Sequence, residues 1–528
     1  MATPDIYCIE SAQLVTPSQE KAIPLSLLDS TTANFLDPSA IWLYDKPSLP
    51  AADNFNFAYH LRESLALTLQ SYPQWGGHLK VVKSIDGAVP SEAKHFPPHA
   101  RRFGRIYAHF GTPNDPGVQF VYAKSSATLE SLYSFDRSSS QPLWRCEFSV
   151  FQKFLAPTPI AQPLKSVKDE NGQLYPLLTV QITELACGGF VLALRGAHPL
   201  ADASTFLSLL KDWAFVSRSV LNNKPISRLT PVFSPTLLDD NAAGDINADH
   251  PDETIIQQAE ALPMHRYDWW APSPNSPFPS KIPAPFDTED LKPAGKTMPW
   301  SEWDVTLPVS NYVVHLTREQ VHLLWNKANK DSPQKLSQHD AVLGHIWSCI
   351  ARARGLESDS DPIHCDLVYG VRPSFQLGEQ FLGSPTVMMN IELPASAVSE
   401  PSNLTKVSTQ VRNTIVKIAN PSNMAAHLHS IAFEKSPQRI WQAFEGKRHI
   451  LVTTWARAGI YNIDFGIGAT CNYAEGLLPD MDSLVLIKEA PGPPTSYWTD
   501  NGVDISIHIK MEDMERLIKD PLLFPVDV

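Results

Sequence analysis

The sequence lacks an excess of basic residues. It holds 43 Lys and Arg against 56 Asp and Glu among 528 residues, which gives a formal net charge of −13. Nucleic-acid binding needs a basic face that displaces counterions from the phosphates. The charge balance therefore predicts no nucleic-acid partner, and an anionic ligand must find a local basic pocket.

Cysteine is also scarce, and no two cysteines form a C-x-x-C pair. The six are Cys8, Cys146, Cys187, Cys349, Cys365 and Cys471. Their scatter disfavours a disulfide framework and a zinc site, and it predicts buried reduced thiols. Cys187 lies beside two glycines and could be an exposed nucleophile, but no histidine is nearby to activate it. We interpret it as a turn cysteine.

Long hydrophobic runs are missing as well. The most apolar window, 177–197, is interrupted by Gln181, Glu184 and Arg195, whereas a membrane-spanning helix needs about 20 consecutive apolar residues. The N-terminus has no basic segment followed by an apolar one, so no secretory signal is predicted. We expect a soluble, cytoplasmic protein with no membrane contact.

What is present fits a globular chain of more than one domain. Hydrophobic residues make up 43% and charged residues 19% of the sequence, and the length exceeds one ordinary core. An acidic and then proline-rich stretch separates two halves. We predict an N-terminal domain at 1–221, a surface crossover without regular helix or central strand at 222–308, and a C-terminal domain at 309–528.

Alternating apolar residues at 177–183 and a second apolar run at 190–194, joined by Ala-Cys-Gly-Gly, predict a β-hairpin. Its return strand leads into RGAHPLADAS at 195–204. Apolar residues then recur with helical spacing, so we predict an amphipathic helix capped by Asp202 or Ser204. The histidine and the aspartate of this segment thus stand at a junction of strand and helix.

Other patterns predict further elements of an α+β arrangement. They are helices at 57–70, after Thr317 and after Ser337, and strands at 78–82, 142–151, 312–316, 365–371, 450–455, 484–488 and 503–509.

His198 ends a strand on a short turn with Pro199, where its ring can point into a cleft. An imidazole with a pKa near 6.5 suits general-base catalysis. The alternative is a core histidine with its polar atoms satisfied and Asp202 as a helix cap. No second histidine stands at helical spacing from His198, so we predict no metal.

A second motif is Ile-Asp-Phe-Gly-Ile-Gly at 463–468. The Asp-Phe-Gly triplet also occurs in protein kinases, but the chain lacks a glycine-rich phosphate loop and an H-R-D-type catalytic loop. Gly466 and Gly468 suit a tight turn that Asp464 fixes by accepting backbone N–H groups. We therefore predict a structural role.

Together, H-x-x-x-D at 198–202 and DFGIG at 464–468 resemble the two marks of the BAHD family of acyl-CoA-dependent acyltransferases, H-x-x-x-D and D-F-G-W-G. Their order and separation make the pair specific. The segments SLALTLQSYPQWGGHLK, QITELACGGFVLALRGAHPLADASTFLSLLKDWA, VYGVRPSF and TTWARAGIYNIDFGIG also match the family pattern. The resemblance covers nearly the whole chain.

The chain departs from the commoner pattern at several positions. Ala197 stands where plant members often have a second histidine, Ala203 replaces a glycine, and Ile467 replaces the tryptophan of D-F-G-W-G. Ser384 and Pro385 stand where many members have Gly-Asn. These changes resemble the fungal branch that includes trichothecene acetyltransferases, and they leave the acceptor open.

The resemblance implies an α/β (α+β) fold of two chloramphenicol-acetyltransferase-like domains, each a mixed sheet flanked by helices, with a channel between them. His198 would lie midway as the general base. The enzyme would transfer an acyl group, with acetyl expected, from acyl-CoA to a hydroxyl of a small secondary metabolite in a ternary complex. No bound cofactor and a monomeric state are expected.

The resemblance also implies roles for other residues. Asp202 would face away from the cleft and pair with Arg372, which holds the turn that aims His198. Thr453 and Trp455 match an element that binds the oxyanion. The remaining candidates are Asp464, Phe465, Gly466 and Gly468, which would shape the domain interface, and Ser337, which would lie near the CoA phosphates.

Three alternatives stay open. One is N-acylation of an amine instead of O-acylation. Another is a free-standing condensation domain, which takes its thioester from a carrier protein; Ala197, Ala203 and DFGIG argue against it. The last is a non-enzymatic binding or scaffold homologue, which has no particular need for His198.

Overall fold

The computed structural model describes residues 4–15, 18–48, 55–83, 89–133, 141–165, 167–277, 295–493 and 495–526. The strands are β1 (Ile6–Leu14), β2 (Lys21–Pro24), β3 (Ser39–Tyr44), β4 (His78–Val81), β5 (Ile106–Phe110), β6 (Val118–Ser125), β7 (Leu143–Arg145), β8 (Leu178–Leu185), β9 (Phe190–Gly196), β10 (Tyr267–Asp268), β11 (Lys296–Thr297), β12 (Val309–Leu316), β13 (Pro362–Gly370), β14 (Thr386–Pro394), β15 (Ile440–Trp441), β16 (His449–Thr454), β17 (Cys471–Gly476), β18 (Leu484–Glu489) and β19 (Val503–Lys510). The helices are α1 (Leu27–Thr31), α2 (Phe57–Leu69), α3 (Leu129–Leu132), α4 (Phe148–Gln152), α5 (Ala203–Leu221), α6 (Thr236–Asp239), α7 (Glu253–Glu260), α8 (Arg318–Asn329), α9 (Gln338–Ala353), α10 (Ala395–Ser399), α11 (Leu404–Ala419), α12 (Pro421–Phe433) and α13 (Met511–Leu517).

Two large mixed sheets organise the chain, as predicted for the fold class. The first has the strand order β1-β6-β8-β9-β3-β17, and the second has the order β14-β13-β16-β18-β19-β12-β7. Each sheet takes its last strand from the opposite half of the sequence: β17 joins the first sheet and β7 joins the second. The two halves are therefore connected by backbone hydrogen bonds, while the boundaries at 221 and 308 stay a prediction.

The predicted hairpin is confirmed. Strands β8 and β9 pair antiparallel, with Thr179 opposite Arg195 and Glu184 opposite Phe190. The turn between them needs Gly188, whose φ of +84° is unfavourable for residues with a side chain. Both strands are buried almost throughout, so the position where β9 ends is fixed by the core.

Helix α5 follows this strand and packs on α2. Asp202 caps it by accepting a hydrogen bond from the Thr205 N–H. On its buried face, Trp213 donates its indole N–H to the Leu61 carbonyl of α2 at 3.1 Å. Burial of a large apolar side chain contributes about 1.5–3 kcal/mol, so this face anchors the helix that begins at the catalytic motif.

Two predicted segments differ in the structure. The strand predicted at 142–151 is short, and α4 follows it, because Phe148 and Phe151 are spaced to bury on one face of a helical turn. The crossover contains α6 and α7, and α7 starts where Asp252 caps its N-terminus. Residues 278–294 of the proline-rich stretch lie outside the described residues.

Within the described ranges, none of the helices has both the length and the apolar character that a membrane crossing requires.

Candidate active site

His198 opens a single 3-10 turn, His198–Leu200, directly after β9. Pro199 occupies the first turn, where its fixed φ is favourable and its missing N–H leaves no donor unpaired. The backbone is extended again at Ala201, and Asp202 then caps α5. The turn therefore presents the imidazole between a buried strand and a buried helix.

The His198 ring is half-buried and contacts both halves of the chain. Its Nδ1 lies 3.0 Å from Ser384 Oγ, and its edge meets the Phe35 ring with a centroid distance of 5.2 Å. Burial lowers the pKa of His198 to about 4, so the imidazole is neutral at pH 7. In the tautomer that donates Nδ1–H to Ser384, Nε2 carries the lone pair that a general base needs.

A general base must be unprotonated, so activity should follow this lowered pKa. We expect kcat/KM to stay level from pH 7 down to pH 5 and to fall about tenfold per pH unit below the pKa of about 4. A pH–rate profile with circular dichroism at each pH separates titration from unfolding. An acidic limb centred at 6.5, the ordinary histidine value, would contradict the buried neutral imidazole.

Asp202 does not hydrogen-bond to His198 in the described part of the chain. Its carboxylate accepts from the Thr205 N–H at 3.0 Å and from Arg372 Nη2 at 3.1 Å, and Arg372 Nη1 contacts the other oxygen. The arginine also donates Nε–H to the Phe381 carbonyl at 2.8 Å. Both charges are buried, so the pair joins the motif to the second half of the chain.

Gly383 and Ser384 complete this contact, a role that was not predicted from the sequence. The Gly383 carbonyl accepts from the Asp202 N–H at 3.2 Å and from Thr205 Oγ1 at 2.8 Å. Asp29 Oδ1 accepts the Ser384 N–H at 2.6 Å. Gly383 has a φ of +130°, and a Cβ there would lie 2.8 Å from Asp29 Oδ1, so glycine is required. Burial raises the pKa of Asp29 to about 7.

Removal of the Ser384 hydroxyl should loosen the orientation of His198. We expect Ser384→Ala to lower kcat about 3- to 10-fold, the equivalent of one hydrogen bond of about 1 kcal/mol. The matched control is Ser436→Ala, because Ser436 is fully buried and its Oγ has no hydrogen-bond partner. Steady-state kinetics of both variants test this; equal rates in the two would contradict a positioning role.

Thr453 and Trp455 lie at and just beyond the end of β16. Thr453 is half-buried and pairs with Leu486 of β18. The Trp455 N–H donates to the Ile487 carbonyl at 2.8 Å, and its ring reaches β17, where a Cβ on Gly476 would lie 2.8 Å from it. Neither residue hydrogen-bonds to His198 within the described ranges, so their oxyanion role stays a prediction.

The DFGIG segment packs on α5 rather than on the turn that holds His198. The Phe465 carbonyl accepts from Ser217 Oγ at 2.6 Å, and Asp464 Oδ1 accepts from the Gly466 N–H at 2.7 Å. Gly466 and Gly468 have φ values of +76° and +68°, which favour glycine. The predicted tight turn fixed by Asp464 is therefore present.

Ser337 caps α9. Its Oγ accepts from the Asp340 N–H at 3.2 Å, and Arg412 donates to it at 2.7 Å. Arg412 also pairs with the Asp340 carboxylate. The Asp340 carboxylate neutralises this arginine, so these contacts stabilise the start of α9, and the role of Ser337 near the CoA phosphates stays a prediction.

Cys187 is exposed and its Sγ accepts from the Leu129 N–H at 3.3 Å. No histidine hydrogen-bonds to this thiol among the residues that the structure describes. The turn position matches the interpretation made from sequence.

A cleft between the two halves opens beside Phe35, the ring that touches His198. Its cavity volume is about 10 Å3, which is room for about one water molecule. The lining is mainly apolar, with a few polar side chains, and consists of Leu28, Thr31, Phe35, Thr386, Val387, Met388, His427, Ile431, Ile440 and Gln442. Sequence reasoning missed this cleft, because its walls come from distant segments.

Comparison with known proteins places this arrangement in a family. The family model described as "Transferase family" matches residues 104–523. Acyltransferase AFT15-1 of Alternaria alternata is 24% identical over 546 residues, which cover 98% of this chain and 96% of that protein. F. graminearum TRI101, solved with ethyl coenzyme A, matches with a TM-score of 0.64 at 14% identity over 96% of this chain and 98% of that one.

Vinorine synthase gives a TM-score of 0.61 at 16% identity, with 99% of both chains covered. At these identities the two solved structures support the fold, whereas the family model, which matches most of the chain, shows membership. The chain belongs to the BAHD family of acyl-CoA-dependent acyltransferases.

Proposed function

We propose that this acyltransferase moves an acetyl group from acetyl-CoA to a hydroxyl of a small secondary metabolite. The observation that carries the proposal is the neutral His198 imidazole, which lies at the end of β9 with Nδ1 at 3.0 Å from Ser384 Oγ and Nε2 left for the substrate. Thioester chemistry needs a base of this kind, because an alcohol is a weak nucleophile until its proton is removed.

In the proposed mechanism, His198 Nε2 takes the proton of the acceptor hydroxyl as that oxygen attacks the thioester carbonyl. A C–O bond forms and the carbonyl becomes a tetrahedral oxyanion. The intermediate collapses with cleavage of the C–S bond, and the protonated His198 gives its proton to the CoA sulfur. Both substrates are bound throughout, so no acyl group is attached to the protein.

The oxyanion needs hydrogen-bond donors, and we assign this role to Thr453 with Trp455 beside it. Loss of one such donor costs about 3–4 kcal/mol of barrier in enzymes of this kind of chemistry. Asp202 and Arg372 have a positioning role, because their ion pair holds the turn that carries His198. Asp464, Phe465, Gly466 and Gly468 shape the interface between the halves.

The apolar cleft beside Phe35 is proposed to bind the acceptor. The cleft has room for about one water molecule, so its walls would have to move apart to admit the acceptor. Its lining then suits a small, largely hydrophobic alcohol, and its polar side chains would orient the reacting hydroxyl. Two polar side chains of the lining contact each other: His427 Nε2 lies 3.5 Å from Gln442 Nε2. Burial lowers the pKa of His427 to about 3, so this imidazole stays neutral and can accept or donate a hydrogen bond.

We assign Ser337, at the start of α9 beside Arg412, to the CoA phosphates. Ser337→Ala should raise KM for acetyl-CoA several-fold with kcat little changed. It should also lower the free energy of unfolding by about 0.5–2 kcal/mol, the usual cost of losing an N-cap. Kinetics and denaturant unfolding test the two effects separately. An unchanged KM would leave Ser337 as a helix cap alone.

Mass spectrometry of products from acetyl-CoA and a metabolite extract tests the proposed reaction and identifies the acceptor. An acetyl ester formed by the wild type and lost in His198→Ala supports O-acetylation. An amide product would contradict O-acetylation and show N-acylation of an amine. Transfer of a larger acyl group would show that the donor is an acyl-CoA other than acetyl-CoA. A cytoplasmic location and a monomeric state remain predictions from the sequence.

A further inference from the structure

Three histidines far apart in the sequence meet in the second half of the molecule. His265 lies just before β10, His364 lies in β13 and His449 begins β16, and each offers a ring nitrogen within 4.8 Å of the others. His364 and His449 are register partners on neighbouring parallel strands, so their rings stack with centroids 4.3 Å apart. The His265 ring lies 4.9 Å from that of His364.

In two of these rings, hydrogen bonds determine which nitrogen is available to bind a metal. His364 Nδ1 lies 2.9 Å from Asn390 Oδ1, and His449 Nδ1 lies 3.1 Å from Asp366 Oδ2. Both oxygens only accept, so both Nδ1 atoms carry the proton and both Nε2 atoms carry a lone pair. Histidines that bind metals are oriented in this way by a carboxylate or carbonyl on the opposite ring nitrogen.

Two buried polar atoms face each other beside these rings. Asp366 Oδ1 lies 3.3 Å from His265 Nε2, within ion-pair distance but outside good hydrogen-bond geometry, and Asp366 is fully buried. Asp366 thus contacts both His265 and His449, as a carboxylate does beside metal-binding histidines.

We propose that His265, His364 and His449 bind one divalent transition-metal ion, with a water molecule as the fourth ligand. Zn2+ fits best, because three imidazoles and one water form a tetrahedral ligand set that it accepts, whereas Mg2+ and Ca2+ prefer oxygen ligands alone. With Zn–N distances of about 2.0–2.1 Å, the ligand nitrogens of such a site are about 3.4 Å apart. The ligand nitrogens, which lie up to 4.8 Å apart, would therefore each move toward the ion by about 1 Å when it binds.

Such an ion would tie the crossover to the second sheet. His265 belongs to the segment that leads to β10, and the Pro263 carbonyl already accepts from the Asn390 N–H at 2.7 Å. Asn390 lies on β14 two residues beyond Met388, which lines the cleft. The metal would hold the wall of the cleft in place without contact with the reacting atoms.

Titration of the metal-stripped full chain with Zn2+ alone, and with Co2+ as a spectroscopic probe, tests the proposal. We expect one tight Zn2+ per chain and the visible bands of tetrahedral Co2+. His265→Ala and His364→Ala should each weaken Zn2+ binding more than about 100-fold, and Asn390→Ala, which removes an outer partner, about 10- to 100-fold. The matched control is His250→Ala, an exposed histidine of the crossover, with unchanged affinity.

Thermal unfolding provides an independent readout. Zn2+ should raise Tm of the wild type and of His250→Ala but not of His265→Ala, which lies on a surface segment and keeps the sheet intact. Absence of a stoichiometric site, or equal binding by His265→Ala and the wild type, would overturn the proposal. Neither result depends on the acyl-transfer reaction.

Discussion

Replacement of His198 by alanine is expected to lower kcat by about 100- to 10,000-fold, the contribution of a positioned general base. The alcohol must lose its proton as it attacks the thioester, and no other side chain takes the place of His198 between β9 and α5. KM for acyl-CoA should change little, because the imidazole acts on the proton and not on the CoA. Initial rates of CoA release measure the effect.

The control for this variant is His250→Ala, which removes an exposed histidine far along the crossover. It should retain the wild-type rate, and circular dichroism should show both variants folded. A folded His198→Ala protein with the full rate would contradict general-base catalysis. It would favour a binding or scaffold homologue, in which this histidine has no chemical task.

Replacement of Asp202 by asparagine is expected to lower the free energy of unfolding by about 3–5 kcal/mol. Asparagine keeps the N-cap of α5, but the Arg372 guanidinium is left buried without its counter-charge. Arg372 also donates hydrogen bonds to the Phe381 and Gly383 carbonyls, and these weaken because the Asp202 carboxylate no longer holds the guanidinium in place. Denaturant unfolding measures the change, and kcat should fall with it because the turn that aims His198 is released.

A double variant separates the destabilisation caused by an unpaired buried charge from the net contribution of the ion pair to the free energy of unfolding. Asp202→Asn combined with Arg372→Met removes both charges, so most of the lost stability should return, as it does when buried ion pairs are replaced by apolar groups. Its kcat should stay low, because the hydrogen bonds that orient the turn are still missing. An unchanged free energy of unfolding in the single Asp202 variant would exclude a bracing role.

Local patterns in the sequence predicted the elements around His198 well. The hairpin of β8 and β9, the turn at Pro199 and the cap at Asp202 each depend on residues within a few positions of one another. The strand predicted at 142–151 is present only at Leu143–Arg145, and α4 replaces the rest because two phenylalanines three apart bury equally well on a helical turn. Short apolar runs of this kind fit both structures until their surroundings are known.

Contacts between distant segments could not be predicted from one sequence. Ser384, which lies 186 residues after His198, drew notice only as a departure from the family pattern. Asp29 is 355 residues from Ser384 and carried no local signal. The exchange of β7 and β17 between the sheets and the meeting of His265, His364 and His449 likewise arise from tertiary packing alone.

Release of CoA thiol from acetyl-CoA by the purified chain, with a panel of small alcohols and no carrier protein, tests the central claim most directly. Our account predicts release that depends on both the acceptor and His198 and that proceeds without an acyl-protein intermediate. No release with any acyl-CoA and acceptor, together with turnover of a carrier-protein thioester, would contradict it and favour a condensation-type reaction.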